Sequence, residues 1–325
     1  MTDPIFNNRL ELTELQEAVS NIKKEVSKVI VGQDQTLELL LISLLCHGHS
    51  LLEGVPGVAK TLTAKLLAKT LDGSFKRLQF TPDLMPSDIL GTSVFNPKTL
   101  EFEYKAGPVF CHLILIDEIN RAPAKTQAAL FELMEERQIT IDGHTHALPD
   151  PFVVIATQNP VEQEGTYRLP EAQLDRFLMK IKVGYPSPGE ELDLLHRFNT
   201  HRANDLSGTV EKVIPTERLA YLRTLVHQVV LEDHLLRFIA DLVQASRNHN
   251  MIELGASPRA SIGLMNAAKA MAAISGRDFV IPEDIKAVAH PVLCHRIVLT
   301  PEAEMEGLTA EEVLNSLQSD LEVPR

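Results

Sequence analysis

Residues 51–61 read Leu-Leu-Glu-Gly-Val-Pro-Gly-Val-Ala-Lys-Thr. A short apolar run ends at Gly54, a Gly/Pro turn follows, and Lys60-Thr61 opens an amphipathic segment. That order predicts a buried strand, a phosphate-binding loop and a helix. Triphosphate binding needs each piece. Backbone N–H groups must converge on the phosphate oxygens, which excludes bulky side chains, and the helix N-terminus adds partial positive charge. Gly54, Val55, Pro56, Gly57, Val58 and Ala59 then form the cradle. Lys60 reaches the β/γ oxygens, and the Thr61 hydroxyl is a ligand for Mg²⁺. The usual pattern puts glycine directly before the lysine, and here that position is Ala59. Taken alone, the loop also fits an ordinary strand–turn–helix carrying a surface lysine.

A second stretch, Leu113-Ile114-Leu115-Ile116-Asp117-Glu118, removes most of that ambiguity. Consecutive apolar residues predict a strand buried on both faces, as in a parallel sheet. A carboxylate pair at its end lies where open α/β sheets bind ligands. Asp117 is the candidate Mg²⁺ ligand, acting through water, and Glu118 the group that polarises the attacking water. A further buried strand, 152–157, runs into Gln158-Asn159, and Asn159 can bond the γ-phosphate or the lytic water. Arg176, in Leu174-Asp175-Arg176-Phe177, suits transition-state charge neutralisation, because a guanidinium meets phosphate oxygens bidentately. The bland alternative for Arg176 is an ion pair with Asp175 or Glu171.

The set GVPGVAKT, LILIDE, ATQNP, LPEAQLDRF and SPRA resembles the MoxR family of AAA+ ATPases, from Val31-Gly32-Gln33 to about Arg296. The resemblance implies Walker A at Gly54–Thr61, Walker B at Asp117-Glu118 and sensor 1 at Asn159. It implies an arginine finger at Arg176 and sensor 2 at Arg259, whose guanidinium would meet the phosphates as the lid moves. Val31, Gly32 and Leu62 would lie beside the nucleotide. The family works as rings, usually hexamers, with ATP between subunits, so Arg176 would act on the neighbour's ATP. Arg121 and Arg168 are rival interface arginines, ranked lower because neither has the Leu-Asp-Arg-Phe context. The resemblance also points to a von Willebrand factor A-domain protein and a client polypeptide as partners in trans.

Composition sets limits. With 325 residues and 44% hydrophobic content, one large or two modest domains are expected. A formal charge of −13 argues against a general nucleic-acid surface, which needs clustered Lys/Arg. Cys46, Cys111 and Cys294 are scattered in apolar contexts and read as buried reduced thiols. His47/His49 and His144/His146 lack further ligands at metal spacing. Residues 1–20 are polar and acidic, and Leu37–Cys46 is too short to span a bilayer, so a cytoplasmic protein without membrane insertion is expected.

Periodicity gives the organisation. Helical spacing marks 11–30 and 33–46, and strands follow at 50–53, 75–80, 111–116, 152–157 and near 178–183. This predicts an α/β fold: an αβα core with a doubly wound parallel sheet over 1–187, a linker over 188–210, and an all-α lid over 211–325. Lid helices are expected near 215–230, 234–248, 259–275 and 283–296, with Pro291 kinking or breaking the last. Hairpins are predicted at 91–108, around Asn96-Pro97, and at 138–148, around Asp142-Gly143. The resemblance implies that these inserts face the central pore. Phe102 and Tyr104 are expected to pack the first hairpin on the core, leaving Phe95 for a client.

These residues together predict hydrolysis of Mg·ATP coupled to remodelling of a client protein. Two alternatives stand beside that reading. MCM helicases share hairpin inserts of this kind, but the acidic balance disfavours a DNA-directed motor. A nucleotide-gated scaffold is disfavoured by the full Asp117-Glu118-Asn159-Arg176 set.

Overall fold

The structure is a computed structural model of the chain and describes residues 10–160, 166–167, 169–200 and 208–322. Five parallel strands form the central sheet, in the spatial order Met179–Lys182, Ser50–Glu53, Val153–Gln158, Leu113–Asp117, Phe75–Gln79. Strand Leu113–Asp117 is buried along its whole length, as its unbroken apolar run predicts. Side chains alternate across the sheet and so feed two separate cores. Leu52, Leu113, Leu115, Val153 and Ile155 join the core beneath helices Thr13–Ser27, Asp34–Leu45 and Lys60–Thr70. Leu51, Ile114, Ile116, Val154 and Ala156 face the other core, with Leu130 and Phe131 of helix Ala124–Glu136.

Parallel pairing sends Ser50–Glu53, Leu113–Asp117 and Val153–Gln158 to one edge of the sheet with their carboxyl ends together. The phosphate loop leaves the first of these. Gly54 is required there, because a Cβ would lie 2.5 Å from the carbonyl oxygen of Val183. Gly57 (φ 88°) and Ala59 (φ 57°) both take left-handed backbone, and Ala59 directly caps helix Lys60–Thr70. The missing glycine of the usual pattern is thus an alanine held in glycine's conformation.

Both predicted hairpins form, Gly91–Asn96 with Glu101–Ala106 and Gln138–Ile141 with His144–Ala147. They touch each other. Tyr104 stacks on His146 with ring centroids 4.4 Å apart, and Ser93 Oγ donates to Asp142. Tyr104 also donates its hydroxyl to the carbonyl of Leu90, so it does pack the hairpin down. Phe102 does not. It lies opposite Phe95 in the ladder, the rings meet edge-on at 5.5 Å, and Phe102 is 73% exposed. The expectation from strand alternation fails here because the hairpin projects from the sheet and its outer half has no core beneath either face.

Beyond residue 210, helices Thr216–Gln228, Asp233–Asn248, Pro258–Ile274, Pro282–Leu293 and Ala310–Asp320 form the lid. It is not purely helical: Ile252–Leu254 pairs antiparallel with Val298–Leu299, and Ile214–Pro215 pairs with Leu71–Asp72 of the core. Pro291 does not break its helix, which runs on to Leu293 before tightening into a 3₁₀ turn at Cys294–Arg296. Within the final turn a proline removes one hydrogen bond where the ladder is ending anyway. That turn fastens lid to core. Buried Arg296 donates to Asp175 at 2.7 Å and to the carbonyls of Phe177 and Leu178, while His295 Nε2 lies 3.1 Å from the Phe177 carbonyl. Burial pushes the thiols of Cys46, Cys111 and Cys294 up to about 12, so they stay protonated. His49 is buried between the carbonyl of Met134 (3.1 Å) and the Val154 N–H (3.0 Å), both ring nitrogens serving the fold. Among the described residues no helix is long and apolar enough to cross a membrane.

Left-handed backbone costs an L-residue about 1–2 kcal/mol, against an extra unfolded-state entropy for glycine of about 0.5–1 kcal/mol. Ala59→Gly should therefore raise stability by about 0.5 kcal/mol, read as a higher urea midpoint. A loss of about 1 kcal/mol or more would mean that packing of the Ala59 methyl outweighs its backbone strain.

Candidate active site

The strand ends bring hydroxyl, carboxylate and cation together. Thr61 Oγ1 donates to Asp117 Oδ1 at 3.0 Å, and Thr157 Oγ1 to the same oxygen at 3.2 Å. The other oxygen of Asp117 accepts from Arg77 Nε at 2.6 Å, so both oxygens of this buried carboxylate have hydrogen-bond donors. Lys60 Nζ donates to the carbonyl of Gly54, and lies 3.3 Å from that of Val55 and 3.4 Å from that of Gln158. The ammonium is thus held inside the loop, next to the strand end that carries buried Asn159. Glu118 takes left-handed backbone (φ 57°), and its N–H donates to Thr157 Oγ1 at 3.0 Å. Its carboxylate accepts from Gln79 Nε2 at 2.8 Å and pairs with Arg121 Nε at 2.9 Å. Arg121, a rival for the interface role, is therefore engaged with the Glu118 of its own chain, and Arg168 lies outside the described residues.

Thr61 and Asp117 fit Mg²⁺. They are hard oxygen donors within hydrogen-bond distance of each other, and Mg²⁺ takes one or two protein ligands while water and phosphate complete its shell. Among the described residues no cluster of three His, Cys, Asp or Glu side chains offers an all-protein cage.

A cavity of about 220 Å³ lies behind the loop. Val31, Gly32, Val58, Ala59 and Leu62 line it from the core, and Leu194 and Phe198 close it from helix Pro188–Thr200. Gln33 ties the two core segments together, donating to the carbonyl of Val58 and accepting from Thr63 Oγ1 at 2.7 Å. The apolar walls suit a flat heterocycle. The span read as a linker from 188 thus contributes a wall of the site.

The arginines sit elsewhere. Arg176 precedes strand Met179–Lys182, and the Leu178 N–H bonds the carbonyl of His49 just before Ser50–Glu53, so Arg176 marks the amino edge of the sheet. Its Nε and Nη2 pair with Glu135 Oε2 at 2.9 and 2.8 Å. Arg259 pairs with Glu135 Oε1 and lies 3.9 Å from Asp175. Strands rise about 3.3 Å per residue, so this edge stands roughly 15 Å from the phosphate loop of the same chain. Arg259 was expected on the phosphates; its contacts place it at the far edge instead. The reason is local: Ser257 Oγ donates to Asp175 at 3.1 Å, and Arg296 grips the same carboxylate, which docks the start of helix Pro258–Ile274 beside Arg176. Partial burial pushes the Glu135 carboxyl up, but hydrogen bonds from Arg176 and Arg259 outweigh it and hold it below the usual carboxylate range.

Sequence reasoning missed Arg77, Gln79, Thr157, Glu135, Leu194 and Phe198. Arg77 and Gln79 share one face of Phe75–Gln79 at a spacing of two, and Gln79 lies opposite Asp117 in the ladder. That signal becomes readable only once strand order is known.

Comparison with known proteins agrees with this geometry. Residues 49–179 match the family described as "ATPase family associated with various cellular activities (AAA)", and residues 244–317 match an AAA lid domain. A crystal structure of a protein from Cytophaga hutchinsonii superposes with a TM-score of 0.88 at 44% identity, covering 97% of each chain. The Chaperone MoxR1 of Mycobacterium tuberculosis is 44% identical over 310 residues, 93% of this chain and 81% of the relative. Protein MoxR of Methylorubrum extorquens is 31% identical over 315 residues, 90% of this chain and 91% of the relative. Likeness of that extent, on a sheet and lid with this strand order, makes the chain a member of the MoxR family of AAA+ ATPases.

Proposed function

We propose that this ATPase binds Mg·ATP between the subunits of a homo-hexameric ring and couples its hydrolysis to remodelling of a client protein. One observation carries the interface reading. The phosphate loop with Asp117-Glu118 and the pair Arg176/Arg259 lie on opposite edges of one sheet, so one chain alone does not close its own site. Head-to-tail packing of copies would bring the two edges together, and a closed rotation of that packing makes a ring.

At such an interface the apolar cavity takes the adenine and the loop N–H groups take the phosphates. Lys60 leaves its carbonyl partners for the β/γ oxygens. Thr61 and Asp117 would hold Mg²⁺, which neutralises charge on the phosphates when bound. Glu118, released from Gln79 and Arg121, accepts a proton from the water that attacks the γ-phosphorus in line, and Asn159 orients that water or the γ-phosphate. The neighbour's Arg176 offsets the charge that spreads over the equatorial oxygens.

The linked hairpins supply a client contact. Phe95 and Phe102, joined by Leu100 and Val94, leave an apolar patch exposed at the tip of an arm whose packing contacts run through Tyr104 at its base. Such patches mark interaction sites, and the chemistry here suits an apolar stretch of polypeptide. A von Willebrand factor A-domain protein as adaptor and a cytoplasmic location complete the proposal, on the strength of the family likeness.

Three experiments test it. Glu118→Gln keeps the shape of the side chain but removes the base; turnover should fall by about 10²-fold while ATP stays bound, and near-normal turnover would remove Glu118 from the mechanism. Arg176→Ala should lose assembly-dependent hydrolysis and keep nucleotide affinity. Mixed with Lys60→Ala subunits it should regain activity, since some interfaces then join an intact loop to an intact arginine; mixed rings without recovery would contradict the interface reading. Phe95→Ala should retain fold and basal ATPase but lose client-stimulated turnover, and unchanged client coupling would exclude the hairpin tip as the contact.

A further inference from the structure

The amino edge of the sheet holds a group that the reaction so far does not use. Glu135 sits near the end of helix Ala124–Glu136 and is shared by two guanidinium groups. Arg176 occupies Oε2 through both Nε and Nη2, and Arg259 takes Oε1. We infer that Glu135 is a positioning residue of the shared site, holding Arg176 and Arg259 together as a two-guanidinium clamp for the triphosphate of the neighbouring subunit. The inference rests on the interface reading above.

Three observations support it. The first is electrostatic. Two guanidinium groups at one place repel each other, and a carboxylate between them offsets that repulsion while leaving the trio with a net positive charge. Arg176 retains Nη1, with one long contact of 3.3 Å to the carbonyl of Ala172, and Arg259 retains Nη1, 3.9 Å from Asp175. Each arginine therefore keeps donors for phosphate oxygens.

The second is rigidity. Glu135 stands four residues beyond Phe131, on the same face of the helix. Phe131 packs edge-on against Phe177 at 5.8 Å, and Phe177 directly follows Arg176. Both aromatic rings are fully buried, so the backbone segments that carry Glu135 and Arg176 are anchored on either side of one aromatic joint. Arg259 is fixed independently, by Ser257 on Asp175 and by Arg296 on the same carboxylate.

The third is the surrounding charge. A cavity of about 320 Å³ opens beside the trio, lined by Glu132, Glu135, Glu136, Gln173 and Arg176. The two further carboxylates disfavour a free phosphate there. The clamp is therefore suited to a triphosphate already held by another subunit's loop and Lys60, and contributes to turnover more than to binding.

The test compares Glu135→Gln, which keeps shape and removes charge, with Glu135→Asp and with Arg176→Ala. Glu135→Gln should lower kcat of the assembled protein by roughly 10-fold or more, in keeping with the loss of aligned donors, and leave the KM for ATP within about two-fold. Glu135→Asp should retain an intermediate rate. Mixing Glu135→Gln with Lys60→Ala subunits should restore activity, because the Glu135→Gln chain still offers an intact loop and the Lys60→Ala chain an intact clamp. A merely structural Glu135 would not give that recovery, since its own loop would suffer with the rest of its fold. Turnover of Glu135→Gln at or above wild type would overturn the inference and make Glu135 a brake. Recovery in the Arg176→Ala mixture without recovery in the Glu135→Gln mixture would overturn it while leaving the interface reading intact. Failure of the Arg176→Ala mixture would remove the interface reading and the clamp with it.

Discussion

Parallel pairing of Ser50–Glu53, Val153–Gln158 and Leu113–Asp117 forces three carboxyl ends to one edge of the sheet, and the chemistry is arranged around that constraint. Each strand is apolar through its middle because it is buried on both faces, and its acidic and amide groups come where the strand stops. Glu53-Gly54, Asp117-Glu118 and Gln158-Asn159 are those stopping points. Lys60 and Thr61 then meet Asp117 and the Gln158 carbonyl without any long-range device beyond the ladder itself.

The same constraint places cations at two levels. Arg77 on the edge strand compensates Asp117, and Arg121 compensates Glu118, so both carboxylates of the Asp117-Glu118 pair have cations within the chain. At the amino edge the balance is reversed: Arg176, Arg259 and Arg296 crowd around Glu135 and Asp175. Arg296 is committed to structure, since its donors are taken by Asp175 and by backbone carbonyls. Arg176 and Arg259 keep partial exposure and donors to spare, which is what an arginine serving another subunit requires.

Lid and inserts attach by different physics. The lid is tied by buried polar contacts at Arg296, His295 and Arg223, the last donating to the carbonyl of Leu44 at 3.0 Å. Such contacts are directional and fix where Arg259 lies. The first hairpin is held near its base by Tyr104, on His146 and on the Leu90 carbonyl, and by Ser93 on Asp142, and its outer half stands free with Phe95 and Phe102 exposed. A weakly anchored arm with an apolar end is suited to following a partner, and a pinned lid to holding an arginine in register.

The local order of residues alone determined the loop, the carboxylate pair, the strand series, both hairpins and the lid helices, because each is built from neighbours in the chain and carries its own periodicity or turn chemistry. Lys60, Thr61, Asp117, Glu118 and Asn159 stand out for the same reason: the first two open the helix that follows the loop, and the others follow or end strands that announce themselves. Only the tertiary structure decided the partners of those groups. Arg77, Gln79 and Thr157 meet Asp117 and Glu118 through strand order, which no single segment encodes. Arg259 reads as a helix-start arginine in either location, and a hydroxyl on Asp175 eighty-two residues away sends it to the amino edge. Phe102 shows the converse: alternation assigns its face correctly, but whether a face is buried depends on what stands opposite it, and here only Phe95 does.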